Sequence, residues 1–227
     1  MLPFRAIIKT DTRSKKIRIK IGLMGDVVVS KPKYCSQSCA QDFVNLHSDW
    51  IEAQLAKIKD RRMPLQLPTK IDLKAMGQTF NIKTNISGRG VKLINNEIII
   101  NRFNQDDIKK DILRLQKYIK KIAEDFIPKE VKALSMLTKL QPQTICIRNQ
   151  QTRWGSCSNR GCISLNQKLL LINPTLMRYV IIHELCHLQE MNHSKNFWKL
   201  VQRYQPNFKE LDSKLDFNKL PVWAIVK

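Results

Sequence analysis

VIIHELCHLQEMNHSKNFW, residues 180–198, holds three of the chain's four histidines within eleven residues. His183 and His187 are four apart, so on a helix of about 3.6 residues per turn both imidazoles leave one face, one turn above the other. Two ligands of a metal site are thereby preset. Glu184 follows the first histidine in the H-E-x-x-H arrangement, which sets a carboxylate where it can take a proton from metal-bound water. His193 comes after a helix end expected at Asn192, where the chain can turn and return a third imidazole to the same ion. Three histidines leave one coordination position open, as catalytic zinc sites do, whereas structural zinc is closed by four protein ligands, usually including cysteine. The competing explanation is a buried helix with satisfied core histidines, since Val180, Ile181, Ile182, Leu185 and Leu188 make the segment apolar almost all round. Burying two histidines and a glutamate together without a metal leaves polar groups in need of partners, which favours the metal.

Outward from this stretch, Asn173-Pro174 is a helix start, an N-cap followed by proline at the first helical position, so a helix is predicted over residues 174–192. Ser194 can cap a further helix with Phe197, Trp198, Val201 and Tyr204 on its core side, ending by Pro206. Upstream, strands are expected at 144–148, 152–157, 162–166 and 168–172. Residues 106–126 carry Ile108, Ile112, Leu115, Ile119, Ile122 and Phe126 at helical spacing, with Asp106 and Asp107 at the positive end. Pro128 should kink or restart that helix, which then runs to about residue 140.

The first thirty residues read as strands: Ile17, Ile19 and Ile21 alternate with charged residues, and a short run at 27–29 completes a hairpin. One helical stripe spans 36–58, with His47 at its boundary. A basic segment at 57–62 leads through Met63-Pro64 and Leu67-Pro68, which mark a loop or linker. Runs at 79–83, 91–94 and 97–101, separated by Gly88-Arg89-Gly90 and Asn95-Asn96, suggest a small antiparallel sheet continuing the hairpin. Residues 1–105 thus form a β-rich N-terminal portion with one long helix, and 106–227 a C-terminal portion holding the metal motif.

With 227 residues and 43% hydrophobic composition the chain can build a real core. No run approaches the roughly eighteen apolar residues that span a bilayer, and the N-terminus lacks a signal-peptide pattern, so a cytoplasmic protein without membrane contact is expected. Six cysteines in such a chain are expected to be reduced thiols. The net charge of +21, spread over both halves, would favour nucleic acid, nucleotides or acidic surfaces, although lysine is also an ordinary solvated residue. No motif speaks to oligomeric state.

Arg148-Asn149-Gln150, Arg153-Trp154-Gly155-Ser156-Cys157, Ser164-Leu165-Asn166, His183-Glu184-Leu185-Cys186-His187-Leu188 and Asn192-His193-Ser194 with Phe197-Trp198 closely resemble the YgjP-like metallopeptidase family. Arg13-Ser14-Lys15 and Asp49-Trp50-Ile51 extend the resemblance over most of the chain. It implies an α+β fold, a minimal zincin-like metallopeptidase domain with a β-rich N-terminal portion. It also implies one Zn2+ per chain on His183, His187 and His193, with Glu184 as the catalytic glutamate. The family is related to SprT-like proteases, some of which act on proteins attached to DNA; by analogy the positive charge would then have a use. The histidine spacing also equals that of metzincins, but Glu190 stands at their glycine position and no Met-turn follows.

Hydrolysis of a protein or peptide substrate by Glu184-activated zinc-bound water is the leading expectation. Arg148, Arg153 and Asn166 are the expected substrate contacts, and the strand at 162–166 could pair with an extended substrate. No motif assigns an oxyanion-stabilising side chain; Tyr179 and Tyr204 are the candidates. Two alternatives are a zinc-dependent hydrolase of nucleotides or phosphate esters and a nucleic-acid-binding module with structural zinc. The first lacks a carboxylate-rich site for a second metal, and the second leaves Glu184 without a purpose.

Overall fold

In a computed structural model the described residues are 4–22, 25–57, 65–86, 88–102 and 107–226. The basic segment at 58–62, Met63-Pro64 and Asp106 lie outside them. Seventeen helices and strands form an α+β protein with three small sheets among the described residues. The chain divides into compact units at 1–65 and 66–227, an earlier division than the one after residue 105 read from the sequence.

The first unit pairs β1 (Ala6–Thr10) parallel and β2 (Arg18–Ile21) antiparallel with β3 (Val27–Lys31). The alternation in β2 and β3 puts one apolar face inward, where Val27 and Val29 meet Val44, Ile51 and Leu55. Those last three come from two helices, α1 (Gln37–Leu46) and α2 (Ser48–Ala56), where one helix was expected. The break is at His47, whose backbone leaves the helical region at φ −107°, ψ 17° and whose Nδ1–H donates to the Phe43 carbonyl at 2.8 Å.

In the second unit β4 (Lys70–Leu73), β5 (Gln78–Ile86), β6 (Gly90–Ile94) and β7 (Glu97–Arg102) form a sheet in the order β4-β5-β7-β6. This corrects the expectation of an antiparallel sheet continuing the N-terminal hairpin: the strands form their own sheet, and β5 runs parallel to β7. Asn95 and Asn96, both at positive φ, close the β6–β7 hairpin, the left-handed pair that a tight two-residue turn requires.

The long helix α3 (Ile108–Thr138) is capped by the Asp107 side chain, which accepts from Lys110 N–H. It passes through Pro128 without restarting. Ile112, Leu115, Ile119, Ala123, Ile127, Val131 and Leu134 bury one continuous stripe on both sides of the proline, and that packing outweighs the lost hydrogen bond. Ile108 is exposed, so the buried face is rotated from the one read in the sequence.

After α3 come β8 (Thr144–Arg148), β9 (Gly155–Cys157) and β10 (Cys162–Asn166), in the order β8-β10-β9. The strand expected at 168–172 is a 3₁₀ segment, Gln167–Leu171, started by the Asn166 side chain accepting from Lys168 N–H. Then α4 (Pro174–Cys186), α5 (Lys195–Tyr204), α6 (Phe208–Lys214) and α7 (Val222–Ile225) complete the unit. The helix α4 packs against α3, α5, α6 and β9, which is why it is apolar nearly all round. No helix among the described residues is long and apolar enough to cross a membrane.

Candidate metal centre

Asn173 caps α4 through its side chain, which accepts from Thr175 N–H, with Pro174 in the first turn, as the sequence predicted. The helix ends at Cys186 rather than Asn192. His187 is the C-cap, still in helical conformation at φ −65°, ψ −17°, so the one-turn offset from His183 survives. Beyond it the chain tightens: Leu188 N–H bonds Leu185 O at 3.0 Å and Gln189 N–H bonds Cys186 O at 3.1 Å. This turn brings back His193, next to the Ser194 side chain that caps α5 by accepting from Phe197 N–H.

His183, His187 and His193 thereby converge, with one ring nitrogen of each lying within 4.8 Å of the others. His183 Nε2 and His193 Nε2 are 3.0 Å apart. The Nδ1–H of His187 donates to the Glu190 carbonyl at 3.0 Å, which fixes its tautomer and leaves Nε2 to ligate. Phe197 stacks on His187 with centroids 4.4 Å apart, and Trp198 lies 5.5 Å from His193, so α5 walls the rings on one side. Burial, with His187 and His193 nearby, holds His183 down at about 3, and burial also lowers His187. At neutral pH His183 and His187 are therefore neutral, the form that binds a metal.

Glu184 is buried at 5% exposure, and its Oε2 has no hydrogen-bond partner among the described residues. Burial raises its carboxyl to about 8, with the positive charge of Arg153 pulling the other way. A buried carboxyl without a donor is costly unless another charge or a water completes the site. Three imidazoles around one point and an orphaned carboxylate oxygen beside them fit a divalent cation with an open position.

Gly155 belongs to the Arg153–Cys157 motif, and its role is spatial. A Cβ at this position would lie 2.5 Å from Glu184 Oε1 and 2.6 Å from its Cγ. Only a residue without a side chain lets β9 approach α4 here. The strand itself is an edge, bonded to β10 on one side, and with Ser156, Cys157 and Met191 it lines the opening over His183, His187 and His193.

Of the three expected substrate contacts, Arg153 is within electrostatic reach of Glu184. Arg148 is exposed on β8, the opposite edge of the sheet from β9. Asn166 is fully buried, donating through Nδ2 to Gln150 O and Arg153 O, each at 2.9 Å, so it holds the loop before β9 and has no surface for substrate. The strand at 162–166 is the middle of its sheet and cannot pair with a substrate; β9 has the free edge. Tyr204 donates to the Thr138 carbonyl, while Tyr179 donates to Asp212 at 2.9 Å and lines the cavity beside His183 and Glu184.

The profile of the YgjP-like metallopeptidase domain matches residues 15–218. The chain belongs to the YgjP-like metallopeptidase family. As a YgjP-like metallopeptidase it is a hydrolase that uses a metal and acts on peptides or proteins. Among solved structures it is similar to the crystal structure of the metallopeptidase zymogen of Pyrococcus abyssi abylysin, at 25% identity over 39% of this chain and 90% of that one, with a TM-score of 0.37. No curated protein matches.

Proposed function

We propose that this chain is a zinc-dependent peptidase in which His183, His187 and His193 hold one Zn2+ and Glu184 is the general base. The observation that carries the reading is the buried Glu184 Oε2, without a partner among the described residues, beside three convergent imidazoles and the half-buried edge strand β9. A donor set of three imidazoles with one position open suits zinc. When bound, the ion supplies Lewis acidity that acidifies water and polarises the scissile carbonyl.

The chain's own residues do the rest. The backbone of β9 pairs with an extended substrate and fixes its register over the histidines. Glu184 takes the proton of the attacking water at Oε2 and gives it to the leaving amine. In the ion-free site burial holds this carboxyl up at about 8, and a bound cation and Arg153 would both favour the ionised form that accepts the proton. Gly155 gives the carboxylate room, and Glu190 O keeps His187 in its ligating tautomer.

The three-residue edge of β9 suits an unfolded or flexible segment rather than a folded surface. A cytoplasmic setting is part of the proposal, supported by six free thiols. So is contact with nucleic acid through the basic surface, which rests on the net charge of +21.

The deciding experiment measures metal content and cleavage of an unstructured protein for wild type and Glu184→Gln. One zinc per chain in both, with cleavage lost only in the variant, is the expected result. Equal cleavage by the two proteins would remove Glu184 from the mechanism, and absence of bound metal would remove the centre itself.

A further inference from the structure

Next to the catalytic opening lies a larger cavity of about 620 Å³ that the mechanism above does not use. It shares Trp154 and Leu215 with the smaller space, of about 170 Å³, that His183 and Glu184 line. The two are therefore neighbours across one tryptophan. Trp154 is held in place by stacking on Phe217 with centroids 4.1 Å apart, and it directly precedes Gly155 at the start of β9. A substrate paired along β9 and continuing past Gly155 would enter this cavity.

Its lining has a definite chemistry. The apolar part includes Leu176, Leu220 and Trp223. The charged part is Lys70, Lys74, Lys214 and Lys219 against Asp72 and Asp216. Asp72 already accepts from the Thr79 hydroxyl and Asp216 from Asn218 N–H, each at 2.7 Å. Lys214 is paired with Glu210. Lys70, Lys74 and Lys219 make no ion pair among the described residues, so three cations face the two carboxylates across the hollow and leave the lining with an excess of positive charge. A volume of this size is within the range of about 300–1,000 Å³ typical of ligand pockets.

We infer that this cavity is a substrate subsite that takes an acidic segment of the peptide, with carboxylates against Lys70, Lys74 and Lys219 and apolar stems on Trp154 and Trp223. The inference rests on the peptidase reading for its purpose but not for its binding chemistry. A peptide suits the site better than nucleic acid, because the aspartates at its border oppose a continuous row of phosphates while the apolar lining matches side-chain methylenes.

The test uses the full chain carrying Glu184→Gln, so that bound peptide is not cut. Capped peptides of one length, bearing either a Glu-Glu or a Gln-Gln pair in a neutral background, are titrated and read by tryptophan fluorescence. The Glu-Glu peptide should bind about tenfold tighter, the sum of several exposed ion pairs of modest strength. Lys74→Glu with Lys219→Glu should erase that preference, and Lys74→Gln with Lys219→Gln should weaken it. Lys109→Glu with Lys117→Glu, on the exposed side of α3, should leave it.

Equal affinity for the two peptides overturns the subsite whether or not the wild type is a peptidase. An equal effect of the α3 pair overturns it in favour of general positive charge. Tighter binding of a short oligodeoxythymidylate, sensitive to the same cavity lysines, overturns it in favour of a nucleic-acid site. If the peptide preference holds but zinc-loaded wild type cuts neither peptide nor any unstructured protein, the acidic-peptide site stands and the peptidase reading falls.

Discussion

Gly155 and Glu184 compete for one space, and the carboxylate has it only because the glycine has no Cβ. Gly155→Ala puts a methyl 2.5–2.8 Å from three atoms of the Glu184 side chain. Overpacking of this kind costs about 1–3 kcal/mol, and a catalytic group moved by about 1 Å can lose about 10²-fold in rate. The variant should keep its metal, since no histidine is touched, and lose most of its hydrolysis; wild-type turnover in Gly155→Ala would defeat the assignment. Protonation gives a second prediction. Between 4.5 and about 8 the folded, ion-free chain holds a proton on Glu184 that the unfolded chain has released. Stability from this group is therefore present at low pH and lost as pH rises through that window. His183 acts oppositely: between about 3 and 6.5 the unfolded chain holds the extra proton, and stability falls as pH falls. Glu184→Gln removes the first effect alone. With metal stripped from both proteins, the melting temperature of the variant minus that of wild type should rise from pH 4.5 to 8, and a flat or falling difference would contradict a buried, proton-holding carboxyl. His183, Glu184 and His187 were legible from spacing because they share one helix. The partner of Glu184 was not, because Gly155 meets it through tertiary packing of β9 on α4.

Elements announced by local chemistry were legible: the Asn173-Pro174 start of α4, the Ser194 cap of α5, and the alternation in β2. Those decided by distant partners were not. The segment 167–171 has the apolar content of a strand, but Asn166 caps it and the chain coils into a 3₁₀ turn. Pro128 signals a break that the buried stripe of α3 overrides. The loop before β9 depends on Asn166, the last residue of β10, and on Lys168 just after it. Asn166 Nδ2 holds the Gln150 and Arg153 carbonyls, and the buried Lys168 Nζ holds Asn149 Oδ1 and Gln150 O. These bonds place Arg153, Trp154 and Gly155 against α4, so Asn166 acts on the site without touching substrate. Asn166→Ala takes the amide donor from the Gln150 and Arg153 carbonyls, and since Gln150 O keeps Lys168 Nζ, the cost is about 1–3 kcal/mol in all. Denaturant unfolding should show that loss together with a lower kcat, while KM changes little. Unchanged stability with a raised KM would return Asn166 to the role of substrate contact first read from the sequence.

At the scale of the molecule, strand signals were legible but pairing was not, which is why 1–105 read as one β-rich portion. Period-2 alternation says which face of a strand is buried and nothing of which strand lies beside it. The two sheets of that stretch fall in different compact units, and each unit has its own buried core. This bears on what metal removal should do. The three imidazoles belong to α4, the turn after it and the residue before the α5 cap, all in the second unit. An ion bound only by the folded state stabilises it by about 4 kcal/mol when present at a thousandfold excess over its Kd. The part that loses this support first is the segment 188–194, which is joined to α4 by tight turns and returns His193 to the centre. Hydrogen exchange on the intact chain, with zinc and then with a chelator, should show faster exchange from the turn after α4 into the first turn of α5. Amides of β3 and α2, in the first unit, should exchange as before, because Val29, Ile51 and Leu55 pack around a core that holds none of the histidine ligands. Loss of protection spread evenly over both units would mean that the ion's contribution is global, and the picture of a centre supporting one unit would fail.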